Sequence, residues 1–343
     1  MRKTLLILAL LYCSHSLVAQ QFTAIYNADS TLTGFDNSST QTRIAPQLVT
    51  VGGSKFQDVV AVMKEDKQGK WYGYYLFSSM KTAGTDSLYM FDNAFDCENE
   101  GFIRFTDHKT EQTGIFNRNG KIVVPAAYNY VSMVTNGMVI ALQGAKKVQD
   151  GEHFYYSGGK TLLIDTTNKV LVSDFGKAED LNMYSVKIAD TPSADTTRMS
   201  FAGVNGKYYT FQVYGKEFSQ WLHQELLPGL TKEKLAANTF AEVTYWDEEN
   251  WIHEDKKKFI DKHWDFLLAK FRDGAAFNLV SGNFNPFIME GPLYDKYMNN
   301  CFQSKDWQYP SWSIFFGGSN EKGQLDFLRT EEGYKLIGVG FAK

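Results

Sequence analysis

The sequence predicts a mainly β repeat array of antiparallel β-hairpin units followed by a smaller α+β domain. Three observations carry that prediction. A strand–turn–strand pattern with shared punctuation recurs at a spacing of roughly 40 to 48 residues, a period typical of repeat arrays. Tyr, Phe and Trp together make 15% of the 343 residues, and aromatics in that quantity suit strands and large aromatic cores. From about Gly215 the apolar pattern shifts to helical spacing.

The chain opens with Met1-Arg2-Lys3, runs on through TLLILALLY and reaches SLVAQ. A basic start, an apolar run of roughly ten residues and small or apolar residues at Leu17 and Ala19 predict a secretory signal peptide over 1–19. Cleavage is expected after Ala19 or Gln20. The ending resembles signal peptides of Gram-negative Bacteroidetes. Cys13 follows the bulky Tyr12, which argues against lipid attachment there. No later apolar run approaches the roughly 18 residues that a membrane helix needs. The expected location is therefore exported: periplasmic, cell-surface or secreted. The net charge of -4 comes with interspersed signs and no basic patch, so no nucleic-acid partner is expected.

Residues 20–42 read as an N-terminal segment, and the repeats begin at about Arg43. The clearest copy spans Thr113–Leu142. Thr113–Asn117 is its incoming strand and Lys121–Val124 its outgoing one. Between them Asn119-Gly120 predicts a type I′ turn, with two positive φ angles. Pro125 is expected to end the outgoing strand, because it cannot donate to a ladder. Tyr128 follows, then a turn at Asn136-Gly137 and the strand Met138–Leu142. Upstream, Gly69–Ser79 parallels the incoming strand, and Glu100-Gly101 parallels Asn136-Gly137. Earlier still, Pro46 stands where the central copy has Pro125. Downstream, Lys160–Ala189 repeats the order with Thr167-Asn168 at the turn, and Gly206–Val213 begins a last, decayed copy.

These residues resemble WG (KWG) repeats. The central copy carries Gly114, Asn119, Gly120, Lys121, Pro125, Tyr128 and Gly137 in the family's order. An earlier strand keeps the aromatic–Gly pair as Tyr72-Gly73. The central copy has Thr113 in place of the aromatic residue, and the downstream copy lacks both the Gly and the Pro. The resemblance covers 43–214 and implies motif residues that serve architecture, with any binding surface on the variable loops.

Residues 215–343 form the expected second domain. Phe218, Trp221, Leu222 and Leu226 lie at helical spacing in Lys216–Leu227, and Pro228-Gly229 stops that helix. Ile260, Trp264, Leu267, Leu268 and Phe271 line one face of a second helix. Strands are expected at Ala276–Val280, Trp312–Phe316, Gln324–Arg329 and Tyr334–Phe341, the last three as an antiparallel meander. A short helix is expected within Tyr294–Phe302. The pattern resembles NTF2-like domains, which implies a sheet wrapped on a helix. Trp264, Phe271, Trp312, Phe316 and Tyr334 then become candidates to line an apolar pocket.

Chemistry is sparse. His253-Glu254 lacks the second histidine of a zincin helix. The acidic group Asp247, Glu248, Glu249, Glu254 and Asp255 reads as a solvated helix start. There is no GxSxG and no Cys/His cluster, so no catalytic residue, metal or cofactor is predicted. Cys97 and Cys301 remain after signal cleavage, and an exported chain leaves open either a disulfide or two separate thiols. The favoured function is a non-enzymatic binding or scaffolding module for a protein, peptide or cell-envelope glycan. The alternative is a C-terminal cavity that binds or processes a small apolar molecule.

Overall fold

The computed structural model describes residues 22–37, 39–50, 55–91, 94–176, 180–272, 278–282, 284–285, 288–289, 291–316 and 323–341. Residues 1–19, where a signal peptide is expected, lie outside them. The fold is mainly β, with small antiparallel sheets in succession and a smaller α+β part at the end.

Five small sheets follow one another along the chain. The first contains Phe22–Tyr26, Thr33–Asn37 and Thr42–Leu48, joined by Lys55–Phe56. The second is Val59–Glu65, Trp71–Phe77 and Thr82–Ala83, and the third is Phe102–Asp107, Gln112–Asn117 and Ile122–Tyr128. The fourth orders Tyr130–Val131, Met138–Gln143, Lys160–Asp165 and Val170–Val172. In the fifth, Tyr208–Val213 lies between Leu181–Ala189 and Arg198–Ala202. An exposed hairpin, Lys146–Asp150 with His153–Ser157, is inserted within the fourth sheet.

Period-two alternation explains how these sheets stack. Val60, Val62 and Leu76 share a core with the first sheet, whereas Val59, Ala61, Tyr75 and Phe77 share one with the third. Val139, Ala141, Leu162 and Ile164 face the third sheet, while Met138 and Leu163 face the fifth. Each inner sheet therefore buries both faces, one against the unit before it and one against the unit after. No unit could bury that much apolar surface alone.

Several sequence expectations need correction. The division at 43 falls inside the strand Thr42–Leu48, and the segment before it supplies two strands of the first sheet. Pro125 does not end its strand. Ile115 pairs with Val124 and Thr113 with Tyr128, so Pro125 sits in a bulge that re-aims the strand and lets pairing resume. The first sheet repeats that shift around Pro46, with Phe35 on Ile44 and Thr33 on Leu48. At Asn119-Gly120 only Gly120 has positive φ, at 75°. The Gly120 N–H donates to the Asn117 carbonyl and the Asn117 N–H to that of Lys121. That is a three-residue loop with a left-handed last residue, not a type I′ turn. Asn168 takes the same place in the fourth sheet, with φ 66°. Type I′ geometry occurs instead at Glu100-Gly101 and Asn136-Gly137, where both residues have positive φ.

Gly114 is required by close approach. A Cβ there would meet the Phe105 ring and the Val124 carbonyl oxygen, each at 2.6 Å. Counted from the shared turn, Gly34 occupies the equivalent place and would meet the Ile44 carbonyl. Gly73 does not. Its Cβ would strike the Leu88 side chain.

The C-terminal part starts directly from the fifth sheet. Helix α1 (Tyr214–Trp221) continues Tyr208–Val213 and runs into a π-helical turn, Leu222–Leu226. Helix α2 (Lys232–Ala237) is capped by the Thr231 hydroxyl, and α3 (Lys256–Arg272) by the Asp255 carboxylate. The sheet orders Trp251–Asp255, Thr239–Trp246, Gly333–Gly340, Gly323–Thr330, Ser311–Phe316 and Asn278–Ser281. Its last strands form the expected meander, but Thr239–Trp246 adds in parallel to Gly333–Gly340. The acids at Asp247–Glu249 therefore occupy a hairpin turn rather than a helix start. Within Tyr294–Phe302 only Asp295–Tyr297 is helical, as a 3-10 turn. Residues 276–277, at the start of the expected strand Ala276–Val280, lie outside the described ones.

One loop joins the two parts. Asp96 pairs with Arg104 through Nη2 to Oδ1 at 2.5 Å and Nε to Oδ2 at 3.1 Å. Cys97 and Cys301 form a disulfide across a separation of 204 residues. The Glu98 carboxylate accepts N–H donors from Gln57, Asp58 and Val59 at 2.5 to 2.8 Å and the Asn300 side-chain amide at 2.9 Å. Glu100 accepts from the Asn136 and Gly137 N–H groups and from the Tyr184 hydroxyl.

Two outcomes are expected. Gly114→Ala should cost about 1–3 kcal/mol, because backbone must move to admit the methyl group, and a lower urea midpoint at unchanged slope reads it. Cys97→Ser with Cys301→Ser should cost about 4 kcal/mol, since the closed loop is long, and thermal melts with and without reductant measure it.

Candidate functional site

A concavity of about 500 Å3 lies where the fifth sheet meets the C-terminal part. Asp195 and Gln212 come from the array, Trp221 and Glu225 from the first helical segment, and Arg329 and Tyr334 from the sheet. The α1 helix places its part directly. It leaves the fifth sheet without a linker, so Glu217, one turn in, faces the strand pair that carries Arg329 and Tyr334.

Those three side chains form a pinned network. Arg329 donates from Nε to Glu217 Oε2 at 3.0 Å and from Nη2 to Oε1 at 3.3 Å. The Tyr334 hydroxyl donates to the same Oε2 at 3.1 Å. The Arg329 guanidinium also lies 5.2 Å from the centre of the Tyr214 ring. A bidentate, hydrogen-bonded pair keeps one geometry, and both Glu217 oxygens are engaged in it. Burial pushes the Tyr334 phenol well above its ordinary range and keeps it a neutral donor.

The rim is rich in acceptors. Thr197 donates to Asp195 from its hydroxyl at 2.6 Å and its N–H at 2.9 Å, which holds that carboxyl below the usual range. Glu331 accepts from Lys296 at 2.8 Å and from the Tyr309 hydroxyl at 2.8 Å, and these bonds lower it to about 2. Ionised carboxylates accept only. Gln220 and Glu225 also line the cleft, and Trp221, buried in the C-terminal core, borders it. Such a surface suits a ligand with many hydroxyl donors.

The five pocket candidates do not gather around a described cavity. Phe271, Trp312, Phe316 and Tyr334 are buried in the C-terminal core, and Trp264 packs half-buried against it. Trp312 stacks on Phe218 at 5.9 Å, and Tyr334 meets Phe218 edge-on at 4.8 Å. Side chains fill the space around them, and of the five only Tyr334 reaches the cleft. The motif residues lie in the array. Tyr72 stacks on Tyr74, and Tyr128 donates its hydroxyl to Asn168 of the next unit at 2.7 Å. Pro125 lies in a bulge, while Asn119, Gly120 and Gly137 lie in turns.

Histidine and metal chemistry find no centre here. Among the described residues no group of three or more His, Cys, Asp or Glu could hold a metal ion. His253 Nδ1 contacts the Thr244 hydroxyl at 3.1 Å and Glu242 at 3.5 Å. Burial pushes the His263 imidazole down, and its Nε2 is buried without a described partner. Sequence reasoning missed Glu217 and Arg329, because two charges so far apart in the chain carry no local signal. Glu100 did carry one: a glutamate before glycine at a type I′ turn is an unfavourable choice that invites explanation.

No protein-family model matches the chain, and no curated protein matches it.

The Lys296–Glu331 contact ties the Asp295–Tyr297 turn to the cleft rim. Because the folded carboxyl titrates near 2 and an unfolded glutamate near ~4.3, its stabilisation is complete above the higher value. It is lost as pH falls through the lower one. Glu331→Gln should therefore lower the urea midpoint at pH 7 and narrow the gap to the parent progressively below about pH 4.

Proposed function

We propose that the chain is an exported, non-enzymatic binding module built on WG-like repeats, with the junction cleft as its ligand site. The ligand class is a hydroxyl-rich glycan of the cell envelope. One observation carries the reading: a cleft of about 500 Å3 is rimmed by carboxylates that fixed donors keep ionised, while its own Arg–Glu pair is already satisfied. Sugars bring hydroxyl donors for the carboxylates. The Cys97–Cys301 disulfide supports export, since such bonds persist in oxidising compartments. The repeated turn, bulge and close-approach glycine support the WG resemblance. The NTF2-like alternative has less support, because four of its five pocket candidates, Phe271, Trp312, Phe316 and Tyr334, are buried among core residues.

The test is titration calorimetry of the mature chain against cell-envelope oligosaccharides, preceded by a glycan array. Gln220→Ala and Glu225→Ala remove exposed cleft groups without touching the core, and each should weaken binding at least tenfold. Glycan binding that survives both substitutions undiminished, or an array with no hits, would sink the reading.

A further inference from the structure

A second cavity, of about 320 Å3, opens where the fourth and fifth sheets face the stretch from Asp306 to Pro310. Its inner surface is apolar and soft, with Met133, Met138, Ile140 and Met183 contributed by the array. Tyr130, Tyr214 and Trp307 supply aromatic walls. Tyr214 is held in place. Its hydroxyl donates to the Trp307 carbonyl at 3.1 Å, and its N–H donates to the Asp180 carbonyl at 2.8 Å.

Two carboxylates, Asp180 and Asp306, border the same space. The cation that also borders it is committed elsewhere. Arg104 is forked onto Asp96 and covers the Tyr89 ring at 4.2 Å. The cavity thus sets the Asp306 carboxylate beside ring faces. Asp306 is exposed and borders the cavity. Its described donor is the Ser304 hydroxyl at 2.8 Å, and burial pushes its carboxyl above the ordinary range.

From this geometry we propose that the cavity binds a small organic cation of the alkylammonium class. Its charge faces Asp306, and its methyl groups lie against Trp307, Tyr130 and the methionines. Ring faces attract cations, and a weakly hydrated ammonium sheds water readily on entering an apolar space. A bare Ca2+ or Mg2+ would need six or more oxygen ligands, which this lining does not supply. The site is separate from the glycan cleft and does not depend on it.

The experiment compares choline with its neutral isostere 3,3-dimethylbutan-1-ol by calorimetry and by tryptophan fluorescence on the mature chain. Choline is expected to bind saturably, with the isostere at least tenfold weaker. Asp306→Asn should weaken choline at least tenfold with an unchanged melting curve, because the side chain is not part of the core. Trp307→Phe should retain weaker binding and lose most of the fluorescence response. Equal binding of the two probes, no choline binding, or full choline affinity in Asp306→Asn would each overturn the proposal. Co-sedimentation with phosphatidylcholine vesicles, without binding of free choline, would overturn its assignment to a solute.

Discussion

The loop from Asp96 to Gly101 is the constraint on which the rest of the structure leans. Five consecutive side chains each reach a different part of the molecule. Asp96 orders Arg104 within its own sheet, Cys97 fastens the C-terminal part, and Glu98 gathers three backbone donors at the start of the second sheet. Asn99 donates to the Val134 carbonyl, and Glu100 reaches the fourth and fifth sheets. Burying carboxylates is costly unless their lone pairs are filled, and here they are filled by donors that would otherwise be orphaned. Burial still pushes the Glu98 carboxyl above its ordinary range, against the lowering effect of those donors. Removing either side of such a contact leaves a buried charge or buried N–H groups unpaired, which typically costs several kcal/mol.

That loop matters because stacking alone gives a one-dimensional assembly. Each sheet contacts its neighbours through alternate side chains, so apolar burial fixes the order of layers but not the approach of the turn before the third sheet to the fourth and fifth. Glu100 makes that approach specific, and it does so from a left-handed backbone position that ordinarily belongs to Gly or Asn. The strain is tolerated because its carboxylate holds two backbone donors and a tyrosine hydroxyl. Tyr128 and Asn168 make a smaller version of the same link between adjacent units.

Both cavities lie along the seam that this arrangement creates. The junction cleft exists because α1 leaves the fifth sheet with no intervening linker and carries Glu217 to Arg329. The smaller cavity exists because the disulfide and the Asn300–Glu98 bond hold the stretch from Met298 to Pro310 across the array. In each, one strong ion pair is self-satisfied, Glu217 with Arg329 or Asp96 with Arg104.

How much was legible beforehand depends on range. Local signals determined the mainly β class, the recurring hairpins, the two helical stripes and the C-terminal meander. Hydrophobic period and turn residues act over a few positions and read the same in any context. Turn type was less legible, since Asn-Gly suits both a two-residue and a three-residue loop, and the bulge at Pro125 depends on how Gly114 lets Val124 approach. The hairpin Thr239–Trp246 with Trp251–Asp255 was hidden because its acidic turn resembles a helix start. Only the tertiary structure decided which cysteine meets which, that the five aromatic candidates fill a core, and where the cavities lie. Those outcomes rest on contacts between residues far apart in the chain, and loop closure over such distances leaves no trace in the neighbouring sequence.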